Sequence, residues 1–243
     1  MRGKLAVSGP ALNRSFWKEP RRLGAVAVLS IGYIFASAAS KAIFDPSAEM
    51  PAVWFANVFA VAFILRTPAL RTVWGVATVF GAALVSNLAM GNDLAMSLVY
   101  STANALGIGV GVAAVRWRFP DTRGAAGRAV NYVQTLTRAG LLAPVIAAMF
   151  FAPLAHLFAG WPMPDSFGRW WSGDAMAFGL LLPVMLFVSR ETLSALAVPR
   201  IALRLLLALL ASGGVVYFAL TRFDFPFVLI QIPLLLAAWR ARP

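Results

Sequence analysis

The sequence contains no cysteine, a single histidine and few charges for its length of 243 residues. Without cysteine there is no disulfide framework, no thiol nucleophile and no zinc–thiolate site. One histidine, His156, excludes a multi-histidine metal or haem centre within one chain. Charged residues make up 12% of the chain, where a water-soluble domain carries about a quarter, so this is no ordinary soluble fold. The two-residue alternation of a membrane barrel is missing as well. Also absent are an HExxH pair, a phosphate loop, a Ser-His-Asp set and carboxylates paired at helical spacing. An enzyme is not expected, nor is a cofactor. No lysine follows Lys41, which removes a retinal Schiff base in a late helix. No internal repeat is visible, so nothing suggests the inverted-repeat design of many transporters. Residues 1–22 are basic and polar and do not read as a cleavable signal peptide.

What the chain does have is apolar length. Hydrophobic residues make up 60% of it and come in long runs, the pattern of helices that satisfy their own backbone inside lipid. The expected fold is all-α: a polytopic integral membrane helix bundle of about eight spans. These fall near 23–44, 51–66, 72–90, 94–115, 135–158, 170–189, 201–221 and 225–239. The second and eighth are short for a ~30 Å hydrocarbon core. Residues 1–22 form a basic cytoplasmic segment, in which 12–22 suit the inner interface. Residues 23–240 form the membrane domain, and 241–243 the cytoplasmic end.

The net charge of +12 does not indicate nucleic acid, because basic residues sit dispersed at the ends of apolar runs. With both termini in the cytoplasm, 17 of the 21 Lys and Arg fall on the inner side. Lys41, Arg169 and Arg222 are outside, and Arg138 lies within span five. Asp45, Glu49, Asp93, Asp165 and Asp224 all fall outside. Lys41 is expected to snorkel to headgroups or pair with Asp45 or Glu49.

Polar residues within spans each cost free energy unless partnered, so they point to function. Asp174, in "RWWSGDAM", has two readings. If span six starts near Trp170, the carboxylate caps the first turn while Trp170 and Trp171 join the interfacial belt. Otherwise it forms the wall of a pocket. Asn57 lies near two turns into span two if Pro51 opens that helix, and Trp54 shares its face. It serves either as a hydrogen-bonding link to a neighbouring helix or as part of a site at the depth of Asp174. Asn104, Asn87, Asn92, and His156 with Trp161 belong to the same outer half. The candidate ligand-binding set is Asp174, Asn57, Trp54, Trp171 and Asn104. Ala103, Gly107 and Gly111 recur every four residues in span four and form a helix-packing seam. No metal site is expected.

Five stretches taken in order carry a resemblance: "PAVWFANVFAVAFIL" at 51–65, "VWGVATVFGAALVSNLAMG" at 73–91, "ANALGIGVGVAAV" at 103–115, "WWSGDAMAFGLLLPVML" at 170–186 and "FPFVLIQIPLLLAAWR" at 225–240. Together they resemble the membrane-associated sensor domain of the first type (the MASE-one family), over roughly residues 25–240. Span two keeps Phe55-Ala56-Asn57-Val58 but lacks the proline and glycine of that pattern. The resemblance implies an integral sensory module of bacterial signalling proteins in the inner membrane. It would answer an unknown small-molecule or protein stimulus. Its cytoplasmic partner would be a diguanylate cyclase, phosphodiesterase or histidine kinase domain, reached in cis beyond Pro243 or in trans. Homodimerisation follows from the same analogy. Two other readings stand beside it: a small transporter or permease using the same polar residues, and a scaffold docking a partner helix on the span-four seam.

Overall fold

The computed structural model describes residues 20–44, 53–118 and 138–187, together with 198–200, 203, 206, 207 and 210. Within the compact unit Met1–Phe187 the described residues form six α-helices and no strand. These are α1 (Pro20–Phe44), α2 (Phe55–Arg66), α3 (Val73–Ala89), α4 (Leu94–Arg118), α5 (Ala143–Ala159) and α6 (Met163–Phe187). A short 3₁₀ turn, Pro68–Leu70, joins α2 to α3, and a π-helical turn, Arg138–Leu142, leads into α5. In the second unit, Val188–Pro243, residues 199, 200, 203, 206, 207 and 210 are helical. The rest of expected span seven, and all of span eight, lie outside the described residues.

Three helical stretches, Pro20–Ala42, Leu94–Arg116 and Arg138–Ala159, are long and apolar enough to cross a membrane. The outward faces agree: Ile31 is 69% exposed and Phe35 74%, which only an apolar surrounding tolerates in such number. The protein is therefore an all-helical membrane protein.

The helices differ in what surrounds them. α2 is apolar on every side, as buried helices are, and eight of its twelve residues are buried. At ~1.5 Å per residue it is only about 18 Å long, and it packs against α1, α4 and α6. It begins four residues later than the sequence suggests. Trp54 is extended (φ −110°, ψ 97°), and its N–H meets the Gly173 carbonyl of α6 at 3.4 Å. The next N–H, of Phe55, is taken by Ser40 Oγ of α1 at 2.9 Å. Contacts from two neighbours, rather than a local cap, thus fix where α2 starts.

At the other end of the bundle, arginines cover helix termini. Arg66 Nη1 donates to the Met185 carbonyl at 2.7 Å, and Arg116 Nη1 to the Arg71 carbonyl at 2.8 Å. Arg71 Nε donates to the Leu65 carbonyl at 2.9 Å, satisfying an end of α2 that has lost its helical donors. The span-four seam is closed by this chain itself. A Cβ on Gly107 would stand 3.1 Å from the Ala147 side chain of α5, and one on Gly111 3.3 Å from Val61 of α2. Ala103 is fully buried. The seam is thus an internal packing surface, and a partner helix docked there is ruled out as drawn.

Candidate functional site

The opposite end of the bundle holds the polar residues. Asn57, the third residue of α2 rather than two turns deep, sits at the centre. Its Nδ2 donates to Asn104 Oδ1 of α4 at 2.8 Å and to Asp174 Oδ1 and Oδ2 of α6 at 3.1 and 3.0 Å. Its Oδ1 accepts from the Tyr33 hydroxyl of α1 at 3.2 Å. Tyr33, Asn57, Asn104 and Asp174 are each at most 4% exposed. Four helices are tied together through one side-chain amide.

Asp174 is not a helix cap. α6 begins at Met163, so the carboxylate stands three turns inside it, and the acidic residue of the first turn is Asp165. The helix can start this early because Pro164 falls in its first turn, where no N–H is required, and no further proline follows until Pro183. The pocket-wall reading of Asp174 is the geometry found.

Above the cluster lies a cavity of about 50 Å³, room for several waters or a small polar ligand. Its lining combines Asp174, Asn104, Asn87 and Asn92 with the aromatic side chains of Trp54, Tyr100 and Trp170. Lys41 and Arg169 complete it. The wall is held by aromatic stacking: Trp170 lies on Phe151 at 4.2 Å between centroids and on Tyr100 at 5.9 Å, and Tyr100 on Phe151 at 5.2 Å. The buried indole N–H groups of Trp54 and Trp170 reach toward the Tyr33 hydroxyl and the Asp174 carboxylate respectively, short of strict hydrogen-bond geometry.

Of the sequence candidates, Asp174, Asn57, Asn104 and Trp54 come together. Trp171 does not: it is 37% exposed and turned away from the cavity, and its neighbour Trp170 takes the place expected for it. Residues 170 and 174 are one helical turn apart on the same face, whereas 171 is rotated past it. Asn87 and Asn92 join the lining, linked by a 3.3 Å bond from Asn92 Nδ2 to Asn87 Oδ1. His156 is exposed and bonds through Nδ1 to the Trp161 carbonyl at 2.8 Å, a local contact at the end of α5. Tyr33 escapes a reading of the sequence. Its signal is there: Tyr33, Ser37, Ser40 and Lys41 recur on one face of an otherwise apolar span.

Among the described residues no three His, Asp or Glu side chains gather as metal ligands. The cluster offers buried acceptors, one carboxylate and aromatic walls around a small cavity. No family model, curated protein or solved structure matches the chain.

Proposed function

We propose that the chain is a multi-pass sensory domain of a bacterial inner membrane, similar to the MASE-one family. In this reading the cavity above Asp174 is its input site, and it regulates a cytoplasmic diguanylate cyclase, phosphodiesterase or histidine kinase partner. The observation that carries the reading is the four-helix hydrogen-bonded cluster of Tyr33, Asn57, Asn104 and Asp174 directly beneath a cavity. A ligand that changes how Asp174 is satisfied changes what holds α1, α2, α4 and α6 in register. Two helix arrangements with different affinity for that ligand are then sufficient to transmit a signal. The excess of Lys and Arg near the opposite end supports a cytoplasmic side for that end and for the output.

A small transporter is the alternative, since a transporter site near the same polar residues would use the same groups. Asp174→Asn separates the two. In cells expressing the full chain, cyclic-di-GMP level or kinase-dependent transcription should shift with the wild-type protein and not with the variant, at equal membrane abundance. In proteoliposomes, saturable substrate flux that Asp174→Asn abolishes would overturn the sensory reading in favour of transport.

A further inference from the structure

The Asp174 carboxylate is under-supplied with donors. Ionised, it offers about four lone-pair positions. Among the described residues its side-chain donors are Asn57 Nδ2, whose two hydrogens are shared among three oxygens, both of Asp174 and one of Asn104, and, at longer reach, the indole N–H of Trp170, which still leaves lone pairs over. The missing donors have to arrive from the cavity side. That side is walled by the aromatic residues Trp54, Tyr100 and Trp170. The lining also carries charge of the other sign. Lys41 and Arg169 both border the cavity, and among the described residues neither forms an ion pair with Asp174. Arg169 precedes Asp174 by five residues on α6, about 7.5 Å along the axis at ~1.5 Å per residue. The cavity thus has a carboxylate floor, aromatic walls and a cationic edge.

We infer that this cavity binds a ligand carrying a primary ammonium a few bonds from an anionic group. The ammonium donates its three N–H groups to Asp174 and the Asn104 carbonyl oxygen, and the anion meets Arg169 and Lys41. A quaternary ammonium brings no N–H to an acceptor-rich floor, so it is a poor fit. Two sources supply the required chemistry: a free amino acid, and the ethanolamine-phosphate headgroup of a membrane lipid. The inference rests on the cavity being the input site and adds the class of ligand.

Titration calorimetry on the purified full chain in phosphatidylcholine nanodiscs, with glycine, β-alanine and γ-aminobutyrate, tests the first source. Native mass spectrometry after exchange into mixed phosphatidylethanolamine and phosphatidylcholine tests the second. One of the two arms should give binding at least about tenfold tighter than its trimethylated counterpart, glycine betaine or phosphatidylcholine, and the arm that does so identifies the source. Asp174→Asn should lower that affinity by about tenfold or more. Arg169→Gln, at an exposed side chain outside the hydrogen-bonded cluster, should weaken it several-fold without altering the thermal midpoint. Binding in neither arm, equal binding of the trimethylated forms, or unchanged affinity in both variants overturns the proposal. If Asp174→Asn still alters cellular output in that event, the cavity remains the input site for a different ligand.

Discussion

The two ends of this bundle are built from different materials. Toward the arginine-covered end, the fully buried side chains are Ile64, Leu65, Leu70, Val79, Ile108 and Leu182. Toward the cavity end lie all ten buried polar residues of the described structure, from Ser37 and Ser40 on α1 to Ser166 and Asp174 on α6. Dispersion and close packing hold the core of the first end, and its polar contacts are arginine bonds to helix-terminal carbonyls. At the second end every group costs free energy unless hydrogen-bonded, and several are not: the hydroxyls of Ser37 and Ser86 are buried without a partner. A fold needing only stability would have filled both ends alike. The difference sets a packed end apart from a polar one.

The sharpest way to break that division is to add an atom at the packed end. A Cβ on Gly75, at the start of α3, would run into the Leu70 carbonyl oxygen, which is backbone and has no alternative rotamer. Gly75→Ala is therefore expected to destabilise by at least about 2 kcal/mol through overpacking, and to lower folded yield in detergent. Gly81, on the same helix, is different, because a Cβ there would meet nothing within 4 Å. Gly81→Ala should be neutral or gain up to about 1 kcal/mol of helix propensity. Equal thermal midpoints for the two variants would show that the packed end is looser than its geometry.

A comparable or smaller effect is expected from the polar end. Tyr33→Phe removes the hydroxyl that donates to Asn57 Oδ1 and leaves that oxygen buried. The cost is about 1–3 kcal/mol, a few degrees in thermal midpoint for a chain of this size. The functional loss should be larger than the loss of stability, because Asn57 is then free to reorient away from Asp174. A variant that loses stability but responds normally would make the cluster a structural tie alone.

Much of this division is legible in the sequence, and the misses share a cause. Asn57, Asn104 and Asp174 stand out because isolated polar residues in apolar runs are expensive, and all three meet. Depth is where local sequence misleads, at both partners. Pro51 looks like a helix start and would put Asn57 too deep, while contacts from Ser40 and Gly173 set the start at Phe55. The tryptophan pair looks like a span boundary and would put Asp174 too shallow, while α6 runs from Met163. Helix boundaries set by tertiary contacts are not written in local sequence. Periodicity fares better, since Ala103, Gly107 and Gly111 have the spacing of a packing seam and do pack. Only their partner, α5 and α2 of the same chain, needs the structure. Tyr33 is easily passed over because a tyrosine in a membrane span is ordinary until the amide beside it is known.

The smallest expected effect concerns the tryptophan pair and isolates which of the two belongs to the cavity. Trp171 is 37% exposed and belongs to neither core cluster, so Trp171→Leu should change stability by no more than about 0.5 kcal/mol. Loss of one interfacial ring is tolerated where other aromatic anchors serve the same boundary. Trp170→Leu, one residue earlier, removes the stack on Phe151 and Tyr100 and opens the cavity wall. Response to stimulus, measured at matched membrane abundance, should survive the first substitution and fail with the second. The reverse result would move the input site to the outer surface of α6, and the cluster around Asp174 would then be a hydrogen-bonded tie between helices.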